Sequence, residues 1–502
     1  MKNKIISILS AALILSLSLG LMSCNKDPKG QDASLYGGEA VVGITQEPSV
    51  FDPHTVVAAG DKEILFNVFE GLYKFDSEGN LNPCLATDVE ISDDASVYTF
   101  TIREGVKFHN GNDMTVDDVI YSLNRAKDLV PELACIDTVS ETDDGKVEVA
   151  LSAPNSELLS FFTVAIIPDE VEDIGATPVG TGPFKFDSYN IGQSVVLTRN
   201  DEYWISELPY LDTVTFKVCA DLDAGFIELQ NGSIDIFPYL TTDKTSQLDE
   251  SRFTVLSKGS NMVQIFALNN AAEPFDDVKV RQAINYAVNR DDLITLTMDG
   301  AGLPLTTAMS PVMGDAYDTS LDGTYDQDIE TAKSLLAEAG YPDGFDMTIT
   351  VPSNYLIHVN TAVALADQLS EIGINATIEQ VDWATWLEDT YTNRNYQSTV
   401  IALTSNYAPY DVISRYATTA DGNFINFSNA EVDDIIASIP LTTDENEKIE
   451  LYHDLLAILT EEAASCYIQD PYSTCAVSNR VTGYELYPMY VQDMSTVHLT
   501  QE

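Results

Sequence analysis

One stretch of the chain constrains its fold more than any other. Residues 347–351 (MTITV) read as a strand, and 360–372 carry helical spacing. Gly373 stands where a helix should end, and 374–381 (INATIEQV) read as strand again. A strand, a helix and a strand in that order cannot close as a hairpin. The helix has to cross one face of a sheet, which makes the two strands parallel and the crossover right-handed. The fold class is therefore α/β, with mixed sheets where shorter strands add antiparallel pieces. Among those strands are 38–44 (GEAVVGI) and 97–102 (VYTFTI), the latter rich in β-branched and aromatic residues. Thr115 with Asp118 three residues on reads as a capping box that opens a helix through Asn124. Leu65, Val68, Phe69 and Leu72 form a helical stripe over 61–72. Val280, Ile284 and Val288 predict one helix over 277–291, with Asp276 or Asp277 as its cap. Ile329, Ala332, Leu336 and Ala339 predict another, closed by Gly340.

The N-terminus is a separate matter. Lys2 and Lys4 precede an apolar run over 5–21, the pattern of a signal peptide, so 1–23 stand outside the fold. The run ends in Leu21-Met22-Ser23-Cys24, which resembles the bacterial lipobox. That resemblance implies cleavage before Cys24 and a diacylglycerol on its sulfur, with 24–37 as a polar tether of roughly 20 Å root-mean-square reach. The chain would then sit outside the cytoplasm, lipid-anchored to the outer face of the cell membrane. With 79 acidic against 25 basic side chains, the net charge is −54. Nucleic acid is excluded as a partner, because counterion displacement needs clustered Lys and Arg. Adhesion to anionic lipid through a basic surface is excluded likewise. A hydrophobic share of 45% over 502 residues still supplies real cores, enough for about three domains of ordinary size.

Catalytic signatures are missing. The sequence holds no GxSxG, HExxH, P-loop or GxGxxG, and its five histidines are scattered. Neither an enzyme nor a resident metal or cofactor is expected. After Cys24 there remain Cys84, Cys135, Cys219, Cys466 and Cys475, an odd number without a CxxC. Single buried thiols are the expectation, with a Cys466–Cys475 bridge left open.

Several phrases, in order, carry a resemblance. They are Glu47-Pro48 with Phe51-Asp52-Pro53, Asn67-Val68-Phe69-Glu70-Gly71-Leu72, and Tyr98-Thr99-Phe100. Arg103-Glu104-Gly105-Val106-Lys107-Phe108-His109-Asn110-Gly111 follows, then Gly180-Thr181-Gly182-Pro183-Phe184 and Arg199-Asn200 with Tyr203-Trp204. Gly232-Ser233-Ile234-Asp235 and Pro274-Phe275 with Val280-Arg281-Gln282-Ala283 and Asn285-Tyr286-Ala287 complete the series. Together they resemble the family 5 solute-binding proteins of ABC importers, the oligopeptide, dipeptide and nickel type. The resemblance implies a two-lobed periplasmic-binding-protein-like fold of type II with an inserted subdomain. Lobe I would comprise 38–75, 180–267 and 479–502, the insert 76–179, and lobe II 268–478. Crossings between lobes are expected near Ala267–Asn270 and Asp470–Tyr472. Most motif residues, including Phe69, Phe100, Phe108 and Trp204, read as core.

The same resemblance implies a receptor, monomeric, that closes on a small peptide by hinge motion and hands it to the ABC importer's permease. A non-peptide solute (oligosaccharide, opine or metal chelate) is the alternative. Carried over position by position, the ligand would meet Gln46 and Glu47 after the first strand. In lobe II it would meet Trp383, Trp386, Asn406, Tyr407 and Asp411. The sequence departs from the family at one of these. Asn406 stands where peptide receptors place an acid for the ligand's ammonium, and an amide cannot neutralise a buried cation. Either Asp411 or Glu47 supplies that charge, or the ligand is not an ordinary free-amine peptide.

Overall fold

The computed structural model describes residues 35–56, 58–404 and 407–500. The strand–helix–strand unit is there: Asp346–Pro352, the helix Leu356–Ser370, and Asn375–Val381. The two strands pair in parallel, Met347 opposite Ala376 and Val351 opposite Gln380. Gly373, at φ +83°, turns the chain between helix and second strand; a Cβ there would lie 2.8 Å from the carbonyl oxygen of Asp343. On the other side of Asp346–Pro352 lies Ser398–Thr404, also parallel, and Met262–Leu268 then pairs antiparallel with Ser398–Thr404.

The sheet does not end at Met262–Leu268. The 13-residue strand Cys466–Ser478 pairs with it at one end. At its other end Cys466–Ser478 pairs with Phe253–Gly259 and Ile236–Pro238. From there the sheet continues through Glu39–Ile44, Thr213–Val218, Ser194–Arg199 and Phe184–Asn190. Glu39–Ile44 and Thr213–Val218 are parallel, so each half of the sheet has a parallel centre and antiparallel additions. The buried side chains divide the same way. Val42, Phe184, Leu197, Val214 and Val477 belong to one core. Ile265, Ile413, Leu456 and Tyr467 belong to a second, and Ile284, Ile349, Leu365 and Ile468 to a third beside it. Two lobes result, and Cys466–Ser478 contributes to the cores of both.

The other passage between lobes runs from Phe253–Gly259 directly into Met262–Leu268. The change of pairing comes at Ser260–Asn261, earlier than the expected Ala267–Asn270, because Met262–Leu268 is already a central strand of lobe II. The second change of pairing comes at 470–472. Within 76–179 a separate four-stranded antiparallel sheet forms from Ala86–Ile91, Val97–Ile102, Val147–Leu151 and Ile136–Glu141. The helix Val116–Ala126 beside it begins with the full capping box of Thr115 and Asp118. Tyr98, Phe100 and Val149 share a core with lobe I, so this insert is packed on that lobe.

The motif phrases meet in the scaffold. Buried Glu70 accepts from Thr181 Oγ1 at 2.9 Å, Tyr203 Oη at 2.7 Å and Trp204 Nε1 at 2.8 Å. His109 receives the Gly180 amide on Nδ1 and faces the Gly182 carbonyl with Nε2 at 3.0 Å, which joins two further phrases. Burial pushes this imidazole down to about 4, so it is neutral.

Two helices end sooner than their stripes suggest. The first is Ala59–Leu65, because Asn67 Nδ2 donates back to the carbonyls of Glu63 and Ile64. The stretch 277–291 holds two helices, Val278–Ala287 and Arg290–Met298. Asn289 caps the second, and the side chain of Arg290 turns inward onto the carbonyls of Leu305, Tyr467 and Tyr325. Cys84, Cys135, Cys219, Cys466 and Cys475 are all free thiols, which leaves no Cys466–Cys475 bridge.

Candidate functional site

The two interlobe passages are tied together by one carboxylate. Asp470, fully buried on the long strand, accepts from the backbone amides of Ser260 at 2.9 Å, Asn261 at 3.2 Å and Met262 at 3.2 Å. It also accepts from the hydroxyls of Ser260 and Ser310. Burial pushes its carboxyl above the usual range, against the pull of these donors.

Beside this clamp opens a cavity of about 200 Å³, lined by Ser260, Met262 and Tyr472 of the passages and by Tyr239, Met489 and Tyr490 of lobe I. Met489 and Tyr490 also border a cavity of about 470 Å³ between the helix Ala59–Leu65 and the insert. That volume lies in the range of small-molecule sites, and its wall is largely apolar, with Leu65, Phe66, Val130 and Phe161. Tyr239 follows Pro238 at the end of Ile236–Pro238 with φ +59°, an unusual conformation for a bulky residue. Its ring lies 5.8 Å from that of Tyr490, and its hydroxyl donates to buried Glu63. Desolvation pushes Glu63 up to about 7.

Lobe II presents Tyr355, just beyond the carboxyl end of Asp346–Pro352, and Trp383. Their rings meet edge-on at 5.3 Å. Ligands of open α/β sheets sit in this region, outside the carboxyl ends of parallel strands. Trp383 stacks on Trp386 at 5.2 Å and 7°. Trp386 is buried, its Nε1 donating to Thr399 Oγ1 at 2.9 Å, so Trp386 backs Trp383 rather than facing the cleft.

The other expected residues are spread more widely. Gln46 accepts from the Gly60 amide at 3.3 Å. Glu47 turns its carboxylate onto the Tyr189 hydroxyl and the Gly192 amide, both in the hairpin of lobe I. Tyr407, at φ +58°, packs its ring 5.1 Å from Phe75 of the other lobe. Its buried hydroxyl has no hydrogen-bond partner among the described residues. Asp411 is half-buried in the short helix Pro409–Ile413. Asn406 and Cys24 lie outside the described residues, as do the signal peptide and most of the tether.

Sequence reasoning missed Tyr239, Tyr355, Tyr490 and Glu63, and it named Asp470 only as part of a crossing between lobes. Tyr355 carried one usable signal, its place right after a parallel strand. Tyr490 sits in irregular chain, where no periodicity marks it.

Two sheet halves joined by two strands, with a cavity at the junction, are the architecture of a periplasmic binding protein. The profile of the bacterial extracellular solute-binding proteins, family 5 (middle part), matches residues 80–424, and the chain belongs to that family. Its members are binding proteins of ABC transporters, extracytoplasmic, and not enzymes. The chain is 26% identical over 532 aligned positions to the oligopeptide-binding protein AppA of Bacillus subtilis, covering 97% of each. The structure of that AppA with a nonapeptide superposes at a TM-score of 0.71, with 25% identity over 93% of this chain and all of that one. HbpA2 of Haemophilus parasuis superposes at 0.85, with 22% identity over 92% and 100% of the two chains.

Proposed function

We propose that this protein is a lipid-anchored receptor that captures peptides outside the cytoplasm and delivers them to an ABC import permease. The observation that carries the reading is a pair of aromatic rings from each lobe, Tyr239 with Tyr490 and Tyr355 with Trp383, in a fold whose two lobes are linked by two strand passages. Kinship with the oligopeptide-binding AppA supports peptide as the solute class. Closure about Ser260–Asn261 and 470–472 would bring Tyr355 and Trp383 toward Tyr239 and Tyr490 and shut the ligand from water. Lobe I then comprises 38–75, about 180–259 and 479–502, with 76–179 inserted, and lobe II the chain between the two crossings. Trp383 serves as the lobe II wall of the pocket, Trp386 as its support, and Tyr407 as a contact near the hinge. Gln46, Glu47 and Asp411 are further candidate contacts, as is Asn406, which lies outside the described residues.

Lipid on Cys24 holds the receptor at the membrane, where it acts as a monomer on the permease. A thermal-shift screen of the full chain against free peptides tests the solute class. A peptide at about 100 times its Kd adds roughly 2.7 kcal/mol of stability. Upward shifts with a subset of peptides are expected, and a flat response across the library would sink the peptide assignment.

A further inference from the structure

The cleft carries an aromatic set that the cores do not use. Tyr490, Tyr355 and Trp383 are 43%, 41% and 36% exposed, values that mark them as available rather than packed. They form two pairs on opposite lobes: Tyr239 with Tyr490 at 5.8 Å, and Tyr355 with Trp383 at 5.3 Å. Across the lobes, the phenols of Tyr355 and Tyr490 are near enough to interact electrostatically. Behind Tyr239 and Tyr490 lies Glu63, buried and without an ion-pair partner among the described residues. Its bond to the Tyr239 hydroxyl links it to the cleft floor. A buried carboxylate that no cation neutralises is costly, and electron-rich rings in front of it attract positive charge by their faces.

We propose that, on closure, these four rings form a cage for a cationic amine of the ligand, with Glu63 as the counter-charge behind it. This rests on the reading of the cleft as a peptide site and deepens it. The amine could be a peptide's N-terminus or a lysine side chain; the chemistry is the same.

The groups facing Glu63 are Tyr239, Tyr484, Tyr490, Cys475 and the amide of Gln492. Burial raises all the titratable ones, Cys475 to about 12, so Glu63 alone among them changes charge near neutral pH. Cation affinity should therefore rise between pH 5.5 and 7.5 as Glu63 ionises.

Calorimetry on the full chain with tri- and penta-alanine, their N-acetyl forms and N-acetyl-Ala-Lys-Ala tests the cage. At least one cationic probe should bind tenfold or more tighter than the acetylated alanines. Y355L and Y490L, both at exposed positions, should each weaken it at least fivefold, and E63Q should weaken it and flatten its pH dependence. A tighter tri-alanine or a tighter N-acetyl-Ala-Lys-Ala assigns the amine to terminus or side chain. Acetylated alanines binding as tightly as cationic probes would overturn the cage and leave the peptide receptor standing. Binding of the cationic probes unchanged in Y355L, Y490L and E63Q would overturn it equally. No binding by any probe would overturn the cage, while the peptide reading stands or falls with the library screen.

Discussion

Asp470 and Glu63 are both buried carboxylates near the junction, yet they are held in different ways. Asp470 has five donors from Ser260, Asn261, Met262 and Ser310. Removing it strands three backbone amides, so Asp470→Ala should cost about 2–5 kcal/mol in denaturant unfolding. Glu63 is raised from an ordinary 4.5 to about 7. A carboxyl raised in the fold favours folding while protonated, and that advantage disappears as pH climbs from the unfolded value through the folded one. Ionised Glu63 thus costs about 3 kcal/mol above neutrality. Glu63→Gln avoids that cost, so the variant should gain on the native chain from pH 5 to pH 8 in matched melts. An unchanging difference would remove Glu63 from the titration. Tyr407 differs again: its hydroxyl is buried without a partner among the described residues. Tyr407→Phe should leave stability unchanged or raise it by up to about 1 kcal/mol. A clear loss would mean the hydroxyl has a partner in the fold. At this scale the sequence pointed to Trp383 through resemblance, but not to Tyr239 or Tyr490. Their role depends on chain segments more than 200 residues apart meeting at one place, and no local pattern encodes that.

Among the elements, those with strong local signals were legible. Val97–Ile102 has the bounds its β-branched run suggests, and Thr115 caps Val116–Ala126 because the box is wholly local. Where a tertiary contact decides, the stripe misled. Val68, Phe69 and Leu72 are buried as their apolar character demands, but in turn and coil, since Asn67 closes the helix and donates to the Gln492 carbonyl at 2.7 Å. The break at Asn289 has the same origin, with Arg290 drawn into carbonyls of three other segments. The crossover should be sensitive at its turn. Gly373→Ala adds both a disfavoured φ and a contact with Asp343, so a loss of at least about 1 kcal/mol is expected in urea unfolding. An unaffected midpoint would show that the turn relaxes freely.

For the whole molecule, the family phrases proved to be scaffold. Glu70, Thr181, Tyr203 and Trp204 lock lobe I together, while the cleft residues lie largely outside those phrases. Resemblance could therefore reveal the fold and class of this chain while leaving its ligand open. The net charge of −54 keeps nucleic acid away but says little about the solute, because a site's charge is local. What matters is whether two lobes on a two-strand junction move. Small-angle scattering of the full chain, alone and saturated with a peptide that stabilises it, reads that motion directly. A smaller radius of gyration in the peptide-bound protein, with secondary structure unchanged, is the predicted result. Saturation by peptide with no change in the radius of gyration would contradict capture by closure.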